Sequence, residues 1–454
     1  MQVFHKKFFA MEEQEELFSL QLADGTYYWD IIRRDMFAVL NSSYKGTYNH
    51  SQPIKKNIIF TVIKDIVKTG INELSLRYLI AQKPDYIFTT FQRHKKGSKI
   101  VDQITDHLFD LVSDNSICIE YMNKSSINYL NILLGQKTRL PAFYYRERNE
   151  DVDAFNINKV ITNAVSKHFD FSIDFYDIIH YSMRFFKENR NYYRRLFSKF
   201  LPKSIICSDN GTLKGLYFAA KEAGVPAIEL QHGASPGSIL WTYSEKYEVP
   251  LPGFIFPTAF LTFSDYWTNQ IKFPVKWVSS IGNDNFYQSP LIGGKDIVIV
   301  SNINTHVIWV DLVLNLADLV EGRKIYYKLH PQHYHLKEDV INEFRAKSSV
   351  VVITDEMDLS EVFRHCDHVV GMRSTMIYSA LQAGKNVYLY KRSNYDWDGD
   401  IIKYLDLFND AYELNDLIKN SSNKNSKNQL IPPIFFQKFN SQKFIQLLDK
   451  IGSL

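Results

Sequence analysis

Polar residues that directly follow apolar runs are the first candidates for chemistry in this sequence. Asp209, Asn210 and Gly211 come immediately after the run SIICS. In open parallel sheets, ligands collect at the carboxyl ends of the strands, so a carboxylate at this position is placed to act as a general base. The competing interpretation is that Asp209 caps the next helix, which is common at strand-to-helix turns.

Two histidines follow apolar runs in the same way. His232 and Gly233 come after PAIELQ, and His330 with Pro331 ends the run IYYKL. Histidine donates or accepts a hydrogen bond near neutral pH, and glycine lets a ligand approach the backbone. Proline ends sheet hydrogen bonding, which leaves His330 at a strand tip where it can contact a phosphate. The alternatives are a loop histidine at 232 and a turn-closing histidine at 330.

A helix start provides the fourth candidate site. Ser374 and Thr375 lie between HVVGMR and the helix-forming stretch MIYSALQAG, and Arg373 adds a cation. The free N–H groups and the dipole at a helix start bind anions, although serine and threonine also cap helices without a ligand. With His330, these residues predict a phosphate site at one end of a cleft. The GxGxxG and Walker patterns are both missing from the sequence, which disfavours dinucleotide and P-loop chemistry.

The elements that must position these residues alternate regularly. From about residue 296, the strand candidates IVIVSN, IYYKLH, VVVIT, HVVGM and NVYLY alternate with helix-length segments. This pattern predicts βαβ units on a parallel, doubly wound sheet. The earlier strand candidates DYIFTTF, ICIEYM, SIICSDNG, PAIELQHG, AFLTFS and WVSSIG predict a second such layer. We therefore predict an α/β fold with two Rossmann-like, doubly wound domains facing a central cleft.

We expect the domains to follow these patterns along the chain. The N-terminal, acceptor-side domain is predicted to span 1–285, with a helical insertion near 150–203. The nucleotide-sugar domain is predicted to span 286–425. After the polar linker NSSNKNSKNQ, a C-terminal helix within 430–454 is expected to fold back over the first domain.

Composition narrows the class of protein. The 454 residues include 45% hydrophobic and 23% charged residues, which is typical of a globular chain. A net charge of +3 is too small to indicate a nucleic-acid partner. Cys118, Cys207 and Cys366 are too far apart in sequence for a Cys/His ligand cluster, and we expect a reduced, cytoplasmic chain. The N-terminal residues lack a signal-peptide pattern, and no run reaches the roughly 18 apolar residues of a membrane span.

The basic, aromatic stretch within 187–203 allows two interpretations. Its Lys, Arg, Tyr and Phe residues continue an amphipathic helix in which apolar residues recur at steps of three and four: Phe175, Ile178, Ile179, Met183 and Phe186. The cations and rings suit contact with an anionic membrane surface. The favoured interpretation is the solvated outer face of a packed helix.

Several segments together resemble a known group of enzymes. AAKEAGVPAIELQHG, WVSSIGNDNF, KLHP and STMIYSALQAGKNVYLY are similar to segments of the GT-B bacterial glycosyltransferases of capsule and lipopolysaccharide synthesis, over roughly 200–395. The His-Pro and Ser-Thr pairs resemble motifs of sialyltransferases and of Kdo and nonulosonate transferases, which use CMP-sugars. Asp209-Asn210-Gly211 resembles their acidic-acidic-glycine motif, with Asn210 as a departure. DGTYYWDIIRRDMF also resembles the start of surface-polysaccharide transferases.

The resemblance implies roles for the candidate residues. Asp209 would deprotonate the acceptor hydroxyl, with His232 as the next candidate base. His330 would assist departure of CMP. The resemblance assigns donor binding to Ser374 and Thr375, and the residue chemistry described above adds Gly233, Pro331 and Arg373. Ser379 stands where many nucleotide-sugar enzymes have a ribose-binding glutamate.

The implied reaction transfers a nonulosonic acid, such as sialic, pseudaminic or legionaminic acid, or Kdo, from a CMP donor. The acceptor would be a glycan or lipid-linked glycan, with peripheral contact to the inner face of the plasma membrane. The alternatives are a CDP-glycerol-type glycerophosphotransferase, a UDP-sugar transferase and a non-catalytic nucleotide-sugar-binding protein.

No cofactor or metal is expected. Asp-x-Asp spacings, which hold a divalent cation in other glycosyltransferases, occur at Asp151-Val152-Asp153 and within 396–400. Neither closely follows a predicted strand, so we interpret both as solvated turns.

Overall fold

The fold is that of a computed structural model. It describes residues 2–22, 25–44, 58–90, 94–96, 99–121, 139–142, 152–208, 212–234, 243–244, 246, 254–271, 275–287, 290, 293–301, 306–354, 356–372, 374–391, 401–423 and 432–453.

A seven-stranded sheet is formed by the first part of the chain, next to a small hairpin. Its strands and the two hairpin strands β2 and β3 are, in chain order, β1 Tyr86–Thr90, β2 His94–Lys96, β3 Lys99–Val101, β4 Ser116–Tyr121, β5 Arg139–Ala142, β6 Ser204–Cys207, β7 Ala227–Leu230, β8 Ala259–Thr262 and β9 Trp277–Ser280. The strand order is β5-β4-β1-β6-β7-β8-β9, and neighbouring strands pair in parallel.

A six-stranded sheet is formed by the second part of the chain. Its strands are β10 Asp296–Val300, β11 Ile325–Lys328, β12 Val350–Ile353, β13 Cys366–Gly371, β14 Asn386–Tyr390 and β15 Asp406–Phe408. They follow the order β12-β11-β10-β13-β14-β15, and their pairings are also parallel. Read as 3-2-1-4-5-6, this is the Rossmann strand order. The first sheet has the same order with one more strand.

Helices connect and cover the strands. They are α1 Gln2–Gln14, α2 Tyr28–Tyr44, α3 Ile58–Gln82, α4 Asp106–Leu111, α5 Val152–His168, α6 Tyr176–Phe197, α7 Lys214–Ala223, α8 Asp265–Gln270, α9 His306–Leu319, α10 Lys337–Phe344, α11 Leu359–His365, α12 Thr375–Gln382, α13 Ala411–Lys419 and α14 Ser441–Gly452. Buried strand residues such as Ile299 and Val370 pack against apolar helix residues such as Trp309, because a sheet with helices on both faces must be apolar on both faces. The predicted α/β class with two doubly wound sheets is confirmed.

The segment 432–440 connects the two sheets. The amide of Gln437 donates to Phe263 O after β8 at 2.9 Å, and the amide of Phe436 donates to the side chain of Gln382 in α12 at 2.8 Å. The indole of Trp267 donates to Phe435 O at 2.5 Å. After this segment, α14 packs against the first sheet, where Phe444 and Leu448 join its core.

The last helix begins further along the chain than the apolar pattern predicts. Within the predicted helical stretch 430–454, α14 begins only at Ser441, with Asn440 as its N-cap. The side chain of Asn440 accepts a hydrogen bond from Lys443 N at 2.9 Å. Phe435 and Phe436 are buried against α8 and α12 instead, so their apolar character reflects contact between the sheets.

The basic stretch of α6 is a packed helix face. Arg194 pairs with Glu222 at 2.6 Å and Arg195 with Glu73 at 2.7 Å, while Tyr193 is buried. The ring of Phe197 is also buried. These rings therefore support the core and do not form interfacial anchors. Among the helices that the structure describes, none is long and apolar enough to span a bilayer.

Candidate functional site

The strand order of the second sheet marks a crevice. Strands β11 and β12 lie on one side of β10, and β13 to β15 lie on the other. The direction of winding therefore reverses between β10 and β13. In open α/β sheets, ligands bind in the crevice outside the carboxyl ends of the strands at this reversal. The residues that follow β10 and β13 are the ones to consider.

Helix α12 begins at this crevice. Ser374 has extended backbone angles, and its Oγ accepts a hydrogen bond from Met376 N at 3.2 Å, so it is the N-cap of α12. At the end of β13, a Cβ on Gly371 would lie 2.7 Å from Ile377 Cδ1, so glycine lets the helix pack closely on the strand. The next N–H groups of α12 are therefore presented to the crevice together with the helix dipole. Arg373 lies outside the described residues.

Ser301 links β10 to His330. The Oγ of Ser301, which is 2% exposed, accepts a hydrogen bond from His330 N at 2.9 Å. This contact fixes the backbone of His330 at the end of β11, one strand from β10 and two from β13. Two strand spacings of about 4.8 Å separate the ends of β11 and β13 by roughly 10 Å. Pro331 begins a short 3-10 helix, Pro331–Leu336, as expected for a residue that ends the strand.

A carboxylate occupies the end of the next strand. Glu356 follows β12, and its carboxylate accepts hydrogen bonds from Lys337 Nζ at 2.7 Å and Thr354 N at 3.0 Å. Burial by itself raises the pKa of Glu356, but the hydrogen bonds from Lys337 and Thr354 outweigh burial and lower the pKa to about 2. Glu356 is therefore ionised at neutral pH, and its carboxylate is hydrogen-bonded to Lys337 and Thr354.

The carboxyl edge of the first sheet meets α12. Gln231 follows β7, accepts from Phe263 N at 2.9 Å and donates to Gly233 O at 3.0 Å, which shapes the loop containing His232. The amide of Ala234 donates to Thr375 Oγ1 at 3.1 Å. A Cβ on Gly233 would lie 3.2 Å from the same oxygen, so glycine permits this approach. The structure thus brings Gly233 and Thr375 together, and the hydroxyl of Thr375 retains a hydrogen to donate.

The first sheet has its own reversal. Strand β6 pairs with β1, whose other neighbour is β4, so winding reverses between β1 and β6. Asp209, Asn210 and Gly211 lie outside the described residues. In sequence, Asp209 is the second residue after the end of β6. Strand β6, which precedes Asp209 in the sequence, therefore ends at the edge where ligands collect in open α/β sheets.

Two further residues position the site, and sequence reasoning assigned neither a role. Ser301 holds the backbone of His330, and the amide of Gln231 holds the loop after β7. Ser301 also follows an apolar strand, IVIV, so the rule used for Ser374 would have found it. The role of Gln231 depends on Phe263, 32 residues away, and has no local signal.

The acidic segments considered for a metal lie only partly within the described residues. No group of three or more His, Cys, Asp or Glu side chains within the described residues is arranged to hold an ion. Asp153 lies in the first turn of α5, and the stretch 392–400 is outside the described residues.

Part of the second sheet, from β11 to β14, matches a protein family. Residues 310–402 match the family of capsule polysaccharide biosynthesis proteins. The matched stretch is less than half of the chain, and it contains His330, Ser374 and Thr375. Among curated proteins, none matches this chain significantly.

Solved structures show a distant likeness. An Anabaena protein, Alr3699/HepE, in complex with UDP and glucose has 11% identity and a TM-score of 0.44, covering 82% of this chain and 100% of its own. UDP-GlcNAc 2-epimerase from Methanocaldococcus jannaschii has 9% identity and a TM-score of 0.46, covering 80% and 99%. MurG from Acinetobacter baumannii has 10% identity and a TM-score of 0.44, covering 81% and 100%. TM-scores below 0.5 decide neither substrate nor activity.

The family match and the two-sheet fold support the predicted resemblance to surface-polysaccharide enzymes. The match concerns capsule polysaccharide biosynthesis and carries no information about a CMP-linked donor.

Proposed function

We propose that this chain is a glycosyltransferase of capsule polysaccharide synthesis that moves a sugar from a nucleotide-activated donor to a glycan acceptor. The observation that carries the proposal is the capped start of α12 at the reversal between β10 and β13. His330 stands two strands away, and the loop after β7 contacts the same helix start. The helix start and His330 therefore offer hydrogen-bond donors for a phosphate at a sheet edge where ligands bind.

The donor phosphate binds at the start of α12. The free N–H groups and dipole of α12 stabilise its negative charge, and the hydroxyls of Ser374 and Thr375 add hydrogen bonds. Arg373, the residue before the cap, supplies a cation. Gly233 keeps the opposite edge close to Thr375 without a side chain between them.

Transfer needs a base and a stabilised leaving group. Asp209 takes the proton of the acceptor hydroxyl, and the oxygen attacks the anomeric carbon of the donor sugar. The bond from that carbon to the phosphate oxygen breaks, and the electron pair leaves with the nucleotide. His330 donates a hydrogen bond to the departing phosphate, and Pro331 fixes the turn that presents it. His232 is the next candidate base.

For the donor, we propose a CMP-linked nonulosonic acid such as sialic, pseudaminic or legionaminic acid, or Kdo. The support is the resemblance of His330-Pro331 and Ser374-Thr375 to motifs of CMP-sugar transferases. Ser379 is fully buried and donates to Phe286 O at 3.2 Å, so other residues must contact the ribose. We place the reaction in the cytoplasm, with the glycan or lipid-linked acceptor presented at the inner membrane face.

A nucleotide screen with a turnover assay tests the proposal. CMP is expected to raise the unfolding temperature more than UDP or GDP does, because a ligand that binds only the native state stabilises it. The protein is also expected to release CMP from CMP-N-acetylneuraminate. The Asp209→Asn variant should keep the CMP-induced shift and lose about 10²-fold in kcat, as for the loss of a general base.

The outcomes separate the alternatives. A larger shift with UDP would contradict the CMP donor, and consumption of CDP-glycerol would indicate a glycerophosphotransferase. Nucleotide binding without release of any product would indicate a non-catalytic binding protein. An unchanged kcat in Asp209→Asn would show that Asp209 is only a cap.

A further inference from the structure

We propose that Gln382 is a positioning residue for the transfer, an inference that rests on the proposed function. Gln382 ties the far end of α12 to the connecting segment, residues 432–440, and through this segment to the first sheet. Helix α12 has eight residues, from Thr375 at the proposed phosphate site to Gln382 at its other end. At about 1.5 Å per residue, the two ends lie roughly 10 Å apart. Gln382 therefore acts on the phosphate through the position of the helix and not by direct contact.

One face of α12 contacts the first sheet along the length of the helix. At the start of the helix, Thr375 Oγ1 accepts a hydrogen bond from Ala234 N at 3.1 Å. In the middle, Ser379 Oγ donates to Phe286 O at 3.2 Å. Ala234 follows β7 and Phe286 follows β9, so both partners lie in segments that leave the carboxyl edge of the first sheet. The residues of this face are three or four positions apart in sequence: Thr375, Tyr378, Ser379 and Gln382.

The aromatic residue of this face packs between two buried rings. The ring centre of Tyr378, which is buried, lies 5.2 Å from that of Trp267 in α8. The ring centre of Phe435 lies 5.1 Å from that of Tyr378. Aromatic pairs at these separations stabilise a contact beyond the apolar area that they bury. The middle of α12 is therefore packed against α8 and the connecting segment.

Gln382 completes the contact at the far end of the helix. Its Oε1 accepts a hydrogen bond from Phe436 N, and its Nε2 donates one to Phe436 O, both at 2.8 Å. The Gln382 amide therefore pairs with both main-chain polar groups of Phe436, which is fully buried. A buried N–H or C=O that loses its partner retains the full cost of desolvation. Replacing Gln382 by an apolar residue therefore weakens the attachment of α12 to the connecting segment.

The connecting segment is in turn attached to the first sheet. Phe435 O accepts a hydrogen bond from Ser264 Oγ, after β8, at 2.9 Å. Gln437 O accepts one from Asn283 N, after β9, at 3.0 Å. Gly282 has a φ of +80°, and a Cβ at this position would lie 2.7 Å from Gln437 O, so glycine permits this close approach. These contacts fix the connecting segment to the first sheet, and the Gln382 side chain links the segment to α12.

Holding α12 at both ends fixes the donor phosphate relative to the first sheet. The loop that contacts the helix start carries His232, a candidate base, and Asp209 follows β6 of the same sheet. A helix tilt of about 6° over a length of roughly 10 Å moves one end by about 1 Å. A misplacement of about 1 Å can cost about 10²-fold in rate. The bound phosphate moves with the helix start, so we expect its affinity to stay unchanged while the rate falls.

Gln382→Met tests this role, because methionine is an unbranched side chain of similar length without the amide. In the full chain, kcat for CMP release from CMP-N-acetylneuraminate is expected to fall at least about tenfold. The Kd for CMP is expected to stay within about twofold of the wild-type value, since the phosphate contacts are retained. Hydrogen exchange of the Ala234 amide, at the other end of α12, is expected to be at least about tenfold faster.

Thr258→Val is the matched control. Thr258 Oγ1 accepts from Ala227 N at 3.1 Å, so this variant also removes a hydrogen bond between a side chain and the main chain, but within the first sheet. It is expected to lower the free energy of unfolding without changing kcat or the exchange of the Ala234 amide. Gln382→Glu keeps an acceptor for Phe436 N, so its kcat and its Ala234 exchange rate should lie between those of Gln382→Met and the wild type. The same two measurements on Gln382→Glu decide the question if Gln382→Met does not fold.

Failure of this inference and failure of the proposed function give different results. If Gln382→Met keeps the wild-type kcat and the wild-type exchange rate at Ala234, the far end of α12 does not position the helix start and the inference is wrong. A weaker Kd for CMP at unchanged kcat also overturns it, because Gln382 would then shape the donor site itself. If the wild type neither binds nor releases a nucleotide while Gln382→Met speeds exchange at Ala234, the attachment of α12 at both ends stands and the transferase proposal fails.

Discussion

Replacing Ser374 with aspartate separates the two roles that a serine at a helix start can have. Ser374 Oγ accepts from Met376 N at 3.2 Å, and aspartate is as good an N-cap as serine. Ser374→Asp should therefore change the free energy of unfolding by less than about 0.5 kcal/mol. The same carboxylate adds a negative charge where the phosphate is expected.

The size of the effect follows from Coulomb's law. Two unit charges about 5 Å apart in an effective dielectric of about 20 repel by roughly 3 kcal/mol. That corresponds to a Kd for CMP about 10²-fold weaker than in the wild type. Ser374→Gly removes the hydroxyl without adding charge and should weaken CMP binding by only about fivefold, as for one hydrogen bond of about 1 kcal/mol.

Calorimetric titration with CMP and urea unfolding of the three proteins measure these quantities. The expected pattern is near-equal unfolding free energies with Kd increasing from wild type to Ser374→Gly to Ser374→Asp. If Ser374→Asp binds CMP as tightly as the wild type, Ser374 is a cap alone and the phosphate lies elsewhere.

Three further outcomes are expected. Ser301→Ala removes the acceptor of the His330 amide and should lower the free energy of unfolding by about 1 kcal/mol, measured by urea unfolding. It should also reduce the rate of CMP release in a turnover assay. Full activity would show that this contact does not position His330. Glu356 has its pKa lowered from 4.5 to about 2, so its contribution to stability is present above pH 4.5 and is lost as pH falls toward 2. Because the side chain of Glu356 is 43% exposed, Glu356→Gln should lower the free energy of unfolding by at most about 1 kcal/mol at pH 7. Urea unfolding measures this change, with Glu338→Gln as the control. An equal loss of unfolding free energy at pH 2 would contradict the lowered pKa. Transferase activity should survive EDTA, because α12 and His330 stabilise the phosphate charge without an ion; loss on chelation, restored by Mg²⁺ or Mn²⁺, would overturn the phosphate site.

The strands were predictable because their local signal is strong. Apolar, β-branched runs such as IVIV and VVVI are typical of strands buried on both faces, and β10 and β12 form there. Strand β15, Asp406–Phe408, was missed because it is a three-residue edge strand with an acidic residue. The order of the strands in each sheet also cannot be predicted from these local patterns, because it depends on how the connecting helices cross the sheet. The reversal between β10 and β13 could only be read from the structure.

Contacts between distant segments had no sequence signal. Asp30 and Lys214 are 184 residues apart, and their ion pair forms because α2 and α7 both pack against α6. Phe435 and Phe436 read as part of a helix, but they are buried between the sheets. The apolar side chains of these two residues predict that they are buried. Only the tertiary structure shows which surface they cover.

The start of α12 was found from sequence because three local features coincide there. A strand ends, a serine follows and an apolar helix begins, and the structure has Ser374 as the cap. Its contact with Ala234 across the two sheets was not predictable, since Ala234 and Thr375 are 141 residues apart.

A crystal structure of the chain with bound CMP tests the central claim most directly. The phosphate is predicted to lie within about 3 Å of the first backbone N–H groups of α12 and of the hydroxyl of Ser374, in the crevice between β10 and β13. A phosphate bound at the first sheet, or at any place away from the start of α12, would contradict the account.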